Sequence, residues 1–169
     1  KENNADEKDA LMNELKYASK DIITSLRETV WALKKDNYTA EECLIRIKNF
    51  VQALSRYYPQ IQFRAEGDAS AEMVLHHTKA LHVVRIVQEA VTNAIKHAGA
   101  KSVSLTSMQL DGKWQLTIVD DGKGFDYEAM KQTGSGNGLI NMDQRATESG
   151  IAFNVISEPG SGTKITTMI

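Results

Sequence analysis

The stretch Glu89-Ala-Val-Thr-Asn93-Ala-Ile-Lys96-His97 lies inside a longer segment, Leu81 to Ala98, in which apolar residues recur at helical spacing. The apolar positions are Leu81, Val84, Val87, Val91 and Ile95. Their spacing predicts a helix with one buried face. Glu89, Asn93 and the pair Lys96-His97 are three or four residues apart, so they form a polar stripe on another face of the same helix.

This polar stripe has the composition of a site for a metal and a phosphate. A carboxylate and an amide oxygen on adjacent turns, at Glu89 and Asn93, are hard ligands suited to Mg²⁺. A lysine one turn further, Lys96, can meet a phosphate group. Taken alone, the stripe is more typical of a solvated helix face.

A second polar segment, Asp120-Asp121-Gly122-Lys123-Gly124-Phe125, follows directly on a predicted buried strand, Trp114 to Val119. Glycines at alternate positions allow the backbone to turn tightly and to approach a ligand closely. A carboxylate at the strand end can accept a hydrogen bond from an exocyclic amine. The competing interpretation is a plain turn, in which Asp-Gly is common.

Two glycine-rich segments follow. Gly134-Ser-Gly136-Asn-Gly138-Leu139 opens a predicted helix that extends to about Ser149, and backbone N–H groups at such a helix start suit phosphate oxygens. The segment lacks the Gly-Lys-Ser/Thr of a Walker A loop and the spacing of a dinucleotide fingerprint. A flexible linker is the alternative. Gly160-Ser-Gly162-Thr163 precedes the last strand and, alone, is only a turn.

The remaining pattern predicts an α+β domain with a two-layer α/β sandwich, an antiparallel-rich sheet covered by helices on one face. Predicted strands cover Ile61–Ala65, Val103–Met108, Trp114–Val119, Ile151–Ser157 and Thr163–Ile169. Asp111-Gly112 is a favoured hairpin turn between the second and third of these strands.

Residues before about Tyr58 contain neither proline nor glycine and predict two helices. The first helix carries an apolar stripe, which consists of Leu15, Ile22, Leu26, Val30 and Leu33. The second begins with a capping box from Thr39 to Glu42 and ends at Pro59. The stripe must pack within the chain, which is the default, or against another copy. We therefore divide the chain into a helical segment, 1–58, and a domain, 59–169.

The composition argues against several classes of protein. The net charge of −2 gives no general affinity for nucleic acid or for an anionic membrane. No apolar run approaches the roughly 18 residues that span a bilayer. The single cysteine, Cys43, cannot form an internal disulfide and fits a core position in a cytosolic protein.

The order and spacing of these motifs resemble the nucleotide-binding pattern of the GHKL ATPase superfamily, which includes gyrase, histidine kinases and MutL. The segment from Arg85 to Ala98 resembles the N box of two-component sensor histidine kinases of the NarX/DesK/LiaS type. Gly136-Asn-Gly138-Leu-Ile-Asn-Met-Asp-Gln-Arg145 resembles the G2 box of that group and the helix after it. The resemblance covers residues 60 to 169 and implies a Bergerat-type ATP-binding fold preceded by helices.

The resemblance also implies a role for each motif residue. Asp120 would accept a hydrogen bond from the adenine amine, with Gly122 and Gly124 beside the base and Thr163 near it through water. Asn93 would coordinate Mg²⁺, and Glu89 would position the acceptor or act as a general base. The remaining contacts, mostly to the phosphates, would come from Lys96, His97, Gly134, Gly136, Gly138 and Leu139. A mobile lid would run from about Phe125 to Ser135.

The resemblance further implies a parent kinase that is a homodimer, is anchored in a bacterial membrane and passes phosphate to a response regulator. The family places its acceptor histidine before an acidic residue, whereas none of His76, His77, His82 and His97 precedes one. We therefore expect a cytoplasmic fragment that binds Mg-ATP, lacks the acceptor and does not touch the membrane directly. Asp121 stands where many relatives have asparagine, with little expected consequence. Another GHKL enzyme and a non-enzymatic interaction module remain alternatives.

Overall fold

The computed structural model describes residues 11, 12, 15, 19, 22–133 and 137–169. The chain divides into two compact units, Lys1–Asp36 and Asn37–Ile169. In the first unit, helix α1 covers residues 22–32. The predicted apolar stripe is exposed, with exposed fractions of 57% for Leu15 and 61% for Leu26, so the expectation that it packs in a core of the chain is wrong.

The second unit begins with a short strand and a capped helix. Strand β1 (Asn37–Thr39) leads into α2 (Ala40–Tyr57). The predicted capping box is confirmed: the Thr39 N–H donates to Glu42 Oε2 at 2.9 Å, and the Glu42 N–H donates to Thr39 Oγ1 at 3.1 Å. Each side chain thus satisfies a backbone donor that the helix start leaves unpaired.

Helix α2 buries its apolar face within this second unit. Cys43, Leu44, Ile47 and Val51 lie in the core, so the interpretation of Cys43 as a core residue is confirmed. Contacts of α2 with strand β2 (Gln62–Gly67) and with helix α3 (His77–Asn93) make it part of the sheet-containing unit. The compact unit therefore begins at Asn37, before the predicted domain boundary at 58/59. Whether the functional domains divide at 58/59 stays a prediction.

A five-stranded sheet forms the framework, in the order β2-β4-β5-β7-β6. The strands β4 (Ser102–Leu110), β5 (Lys113–Asp120), β6 (Ala152–Ser157) and β7 (Thr163–Met168) pair antiparallel, and only β2 runs parallel to its neighbour. The β4–β5 hairpin turns at Asp111 and Gly112, whose φ angles of 51° and 76° are those of a type I′ turn.

Helices cover one face of this sheet. Helix α3 packs against α2, β5 and α5 (Asn137–Glu148), and α5 packs against β6. Trp114, Leu116 and Ile118 of β5 are buried on the covered face, whereas Val119 and Ile156 are exposed on the other. The predicted α+β, two-layer fold with an antiparallel-rich sheet is therefore confirmed.

Three elements were not predicted. They are the three-residue strands β1 and β3 (Val74–His76), which pair with each other, and helix α4 (Tyr127–Thr133). Helix α3 also begins at His77, one turn earlier than its apolar pattern indicates. None of the helices in the described part of the chain is long and apolar enough to cross a membrane.

Replacing the capping threonine tests the start of α2. We expect Thr39→Ala to lower the free energy of unfolding by about 1 kcal/mol, because a backbone donor at the helix start loses its acceptor. Ser55→Ala is the matched control, since the Ser55 hydroxyl bonds only to a carbonyl within α2 and is exposed. Urea denaturation measures both, and equal stabilities of the two variants would contradict the role assigned to the capping box.

Candidate functional site

A cavity of about 590 Å³ lies between the helices and the edge of the sheet where β5 ends and β7 begins. Its walls come from α3, the turn after it, the loop after β5, and α4, α5 and β7. The predicted site residues that line it are Glu89, Asn93, Lys96, His97, Asp120, Gly124, Gly138, Leu139 and Thr163. The structure thus brings together residues as far apart in sequence as Glu89 and Thr163.

The predicted polar stripe forms one wall of this cavity. Glu89 and Asn93 on α3 are half-buried, and Lys96 and His97 are exposed at its rim. After Asn93 the helix widens into a π-helical turn, Ala94–Ala98, which ends at Gly99 with a φ of 63°. The wider turn rotates Lys96 and His97 away from the positions of a straight α-helix, yet both still face the cavity.

The start of α5 lies directly against this stripe. A β-carbon added at Gly138 would collide with Glu89 Oε1 and lie 3.0 Å from Asn93 Nδ2. Glycine therefore lets the first turn of α5 approach the two polar side chains this closely without displacing them. The other two glycines of the predicted phosphate loop, Gly134 and Gly136, lie outside the described residues.

Asp120 is the buried acid of the site. It ends β5 with an exposed fraction of only 8%, and its Oδ1 accepts the Gly122 N–H at 2.8 Å. Burial raises the pKa of Asp120, and hydrogen bonds from the Gly122 N–H and from the N–H and hydroxyl of Thr163 lower it in part. A carboxylate has about four lone-pair sites, so Asp120 can still accept a ligand N–H, and a charged acceptor of this kind forms a strong hydrogen bond.

The glycines after Asp120 are needed for packing. A β-carbon at Gly122 would lie 2.7 Å from the Ala98 carbonyl oxygen, and one at Gly124 would collide with the Glu158 carbonyl oxygen. Gly124 also has a φ of 58°, which disfavours other residues. Gly122 does not itself line the cavity, but its N–H donates a hydrogen bond to the Asp120 carboxylate, which does.

Asp121, unlike Asp120, makes its hydrogen bonds to the backbone outside the cavity. Its Oδ1 accepts the N–H groups of Lys101 and Ser102, both at 2.8 Å, outside the cavity. These contacts, led by the one with Ser102, hold the pKa of Asp121 below its usual value. Asparagine could accept the same two bonds, which agrees with the small consequence expected for this departure from the family.

Apolar side chains close the cavity at the Asp120 end. Sequence reasoning placed Phe125 and Met130 only within the expected lid and did not assign Ile165 to the site, although all three line the cavity. Ile165 is two residues from Thr163 on β7, so the alternation of a strand could have placed it on the same face. Met130 lies on α4, a helix that was not predicted within that lid.

The cavity is therefore chemically polarised. One end combines apolar walls with a desolvated acceptor, Asp120, which suits a flat ring that carries an amine. The wall where α3 meets the start of α5 carries Glu89 and Asn93 beside Gly138. The exposed cations Lys96 and Lys123 also line the cavity, which therefore suits anionic groups as well. Among the described residues, no group of three His, Cys, Asp or Glu side chains could hold a metal alone. Mg²⁺ needs no such group, since it binds through one or two side chains together with water and phosphate oxygens.

Comparison with known proteins agrees with this site. Residues 78–169 match the family described as histidine kinase-, DNA gyrase B-, and HSP90-like ATPase, and the chain belongs to that family. Sensor protein VraS of Staphylococcus aureus is 40% identical over 85 residues, which are 50% of this chain and 24% of that protein. VraS of Staphylococcus haemolyticus is 39% identical over the same length.

Solved structures show the same fold. The histidine kinase domain of the Erythrobacter litoralis EL346 blue-light activated histidine kinase has a TM-score of 0.66 at 22% identity and covers 86% of this chain and 74% of that one. Histidine kinase AdeS of Acinetobacter baumannii has a TM-score of 0.64 at 17% identity and covers 95% of this chain and 81% of that one. The predicted assignment to the ATP-binding catalytic domain of the sensor kinases is confirmed. The chain spans about a quarter of the length of its VraS relatives.

Burial of Asp120 makes the stability of the chain depend on pH. Its pKa is higher in the folded than in the unfolded state, so its favourable contribution is complete below the ordinary aspartate pKa and is lost as pH rises through the folded pKa. We expect Asp120→Asn to raise the melting temperature at pH 7 in the absence of ligand and to lose this advantage in acid. Asp121→Asn is the control, because the pKa of Asp121 is shifted in the opposite direction. A lower melting temperature for Asp120→Asn at pH 7 would contradict the account.

Proposed function

We propose that the cavity binds Mg-ATP and that the chain presents the γ-phosphate to a histidine of a sensor kinase, for relay to an aspartate of a response regulator. The observation that carries the proposal is the polarity of the cavity. A buried acceptor lies at the end of β5, a carboxylate and an amide lie where α3 meets the start of α5, and the cations Lys96 and Lys123 also line the cavity. Membership of the ATPase family supports the choice of ATP among anionic ligands with a flat ring.

At the apolar end, the exocyclic amine of adenine donates to Asp120, which has the lone pairs to accept it while it also accepts the Gly122 N–H. The base lies between side chains that include Phe125 and Ile165. Guanine carries an oxygen where adenine carries this amine, and two acceptors would then face each other. Asp120 thus determines which base is accepted.

At the polar end, Asn93 would hold Mg²⁺ together with phosphate oxygens and water. The bound cation would neutralise charge on the phosphates. The fit rests on the close approach of Gly138 to Glu89 and Asn93, which keeps both side chains beside the start of α5. Lys96 and His97 lie one turn further along the same wall and add positive charge and donors for the phosphates.

Phosphoryl transfer depends mainly on positioning and on charge neutralisation. A ring nitrogen of the acceptor histidine attacks the γ-phosphorus in line, and the bond to the bridging oxygen breaks to release ADP. Glu89 adjoins this position and either orients the imidazole or accepts its proton. The acceptor lies outside this chain, because none of its four histidines is followed by an acidic residue.

The exposed stripe of α1 supports a homodimer in the parent kinase. Ile22, Leu26 and Val30 are each more than half exposed and recur along one helix face. A second copy of the same helix would remove this apolar surface from water. Attachment of the parent kinase to a bacterial membrane, with this domain in the cytoplasm, belongs to the same proposal.

Calorimetric titration of Mg-ATP into the chain tests the site. We expect Asp120→Asn to weaken binding by about 10- to 100-fold, because a hydrogen bond to a charged group contributes about 1.5–3 kcal/mol. Asn93→Ala should instead remove the dependence of the affinity on Mg²⁺. Asp121→Asn is the matched control and should bind as the wild type does. Undiminished binding by Asp120→Asn would refute the assignment of the base-binding end.

Incubation with γ-labelled ATP tests the absence of an acceptor. We expect no stable acid-labile label on this chain, and we expect label on a supplied kinase fragment that contains the acceptor helix. Label on the chain alone would show that one of its own four histidines accepts phosphate. Release of ADP without any labelled protein would favour a different ATPase of the same family.

A further inference from the structure

The turn after β5 is tied by hydrogen bonds to the segment that follows the π-helical turn. Two of these bonds join backbone groups: the Lys123 N–H donates to the Ala98 carbonyl at 2.9 Å, and the Asp121 N–H donates to the Ser102 carbonyl at 3.3 Å. Two more are made by a side chain, since Asp121 Oδ1 accepts the N–H groups of Lys101 and Ser102, both at 2.8 Å. The Asp121 carboxylate is therefore the part of this connection that a substitution can remove.

The two connected segments carry polar groups of the same cavity. A β-carbon added at Gly122 would collide with the Ala98 β-carbon, so the segments also lie in direct contact. Asp120 lies two residues before Gly122, and Lys96 and His97 lie just before Ala98. All three of these side chains line the cavity. The connection thus links the buried acid of the site, through few bonds, to the end of the polar stripe.

The π-helical turn needs support from outside the helix. Ala94–Ala98 is wound more widely than an α-helix, in the form of a single turn, as such turns usually are. The chain then passes through Gly99, whose φ is 63° and whose backbone has more freedom than that of any other residue type. Lys96 and His97 are exposed, so packing in the core does not hold their side chains. Their position therefore depends on what holds the chain after the turn.

We propose that Asp121 is a positioning residue for phosphate binding. Its carboxylate holds the chain after the π-helical turn and thereby sets Lys96 and His97 relative to Asp120. The inference rests on the proposed function, since it takes the ligand to be ATP. The role needs an acceptor oxygen and not a charge, so asparagine fills it as well as aspartate does.

A merely structural aspartate would behave differently. Its loss would leave two backbone donors at the surface, where water can bind them, and would change only the stability. The Gln62 N–H also donates to the Lys101 carbonyl, at 2.8 Å, so the start of β4 keeps a second attachment without Asp121. Ligands with and without phosphates would then be affected alike. If Asp121 acts through the polar stripe, the loss is confined to ligands that carry phosphates.

The experiment compares the affinities of Asp121→Ala for Mg-ATP and for adenosine, with thermal unfolding of the variant. We expect Mg-ATP to bind about 5- to 10-fold more weakly, the loss of about one net hydrogen bond, and adenosine to bind as it does to the wild type. Asp121→Asn keeps the acceptor oxygen and should retain the affinity for Mg-ATP. Ser70→Ala is the matched control, because Ser70 Oγ accepts the N–H groups of Glu72 and Met73 at 3.0 and 3.2 Å outside the cavity.

A double-mutant cycle tests the route of the effect. In a chain with Lys96→Met and His97→Gln, Asp121→Ala should weaken Mg-ATP binding little further, because the side chains that it positions are gone. If Asp121→Ala fails to fold, Asp121→Glu replaces it, since glutamate keeps the charge and moves the acceptor by one methylene group. Unchanged Mg-ATP affinity, equal losses for Mg-ATP and adenosine, or additive losses in the cycle would overturn the proposal.

The amide NMR spectrum of the ligand-free chain keeps this test separate from the proposed function. Asp121→Ala should shift the amide signals of Lys96 and His97, whereas Asp121→Asn should shift them much less. Gly112, at the other end of β5, should stay unchanged in both variants. If the wild type binds no ATP, the proposed function fails, and these signals still decide whether Asp121 sets the position of the π-helical turn. Unchanged signals of Lys96 and His97 in Asp121→Ala would overturn the positioning role.

Discussion

The burial of one carboxylate, that of Asp120, imposes most of the local structure at the cavity. A charged group with an 8% exposed fraction needs hydrogen-bond donors, and the chain supplies them from Gly122 and from Thr163. Gly122 can approach only because it has no side chain to meet Ala98. Thr163 can approach only because β7 pairs with β5 in the register that sets it opposite Asp120. The turn, the sheet register and the glycine are therefore consequences of the same requirement.

The opposite end of the cavity depends on a close approach between two helices. Gly138 lets the first turn of α5 lie against Glu89 and Asn93 of α3. A larger residue there would push the end of the Glu89 side chain aside. The two ends are linked through the sheet and through α3, so a ligand with an amine-bearing ring and an anionic chain can contact both.

Sequence patterns correctly predicted the features that interactions between neighbouring residues determine. The capping box at Thr39, the turn at Asp111-Gly112 and the amphipathic α3 each depend on residues that are close in the chain. The strands β1 and β3 escaped prediction, because three residues carry too little periodicity and their pairing joins segments about 37 positions apart. The exposed stripe of α1 was expected in a core, because periodicity shows which face is apolar but not what covers it.

The spacing of the polar stripe placed Glu89, Asn93, Lys96 and His97 together, whereas it could not show the π-helical turn that orients the last two. The side chain of Met130 was not assigned to the cavity wall, because the short helix α4 that carries it was not predicted.

The central claim is that this cavity holds the nucleotide in one orientation. The direct test is to add Mg-ATP to the ¹⁵N-labelled chain and to record its amide NMR spectrum. ATP should shift the amide signals of Gly122 and Thr163 and the side-chain amide of Asn93. It should leave Gly112, at the other end of β5, unchanged. AMP should shift the signals at Gly122 and Thr163 but affect Asn93 much less, because it lacks the β- and γ-phosphates. Shifts confined to residues outside the cavity, or the same pattern of shifts at Asn93 for AMP and ATP, would contradict the account.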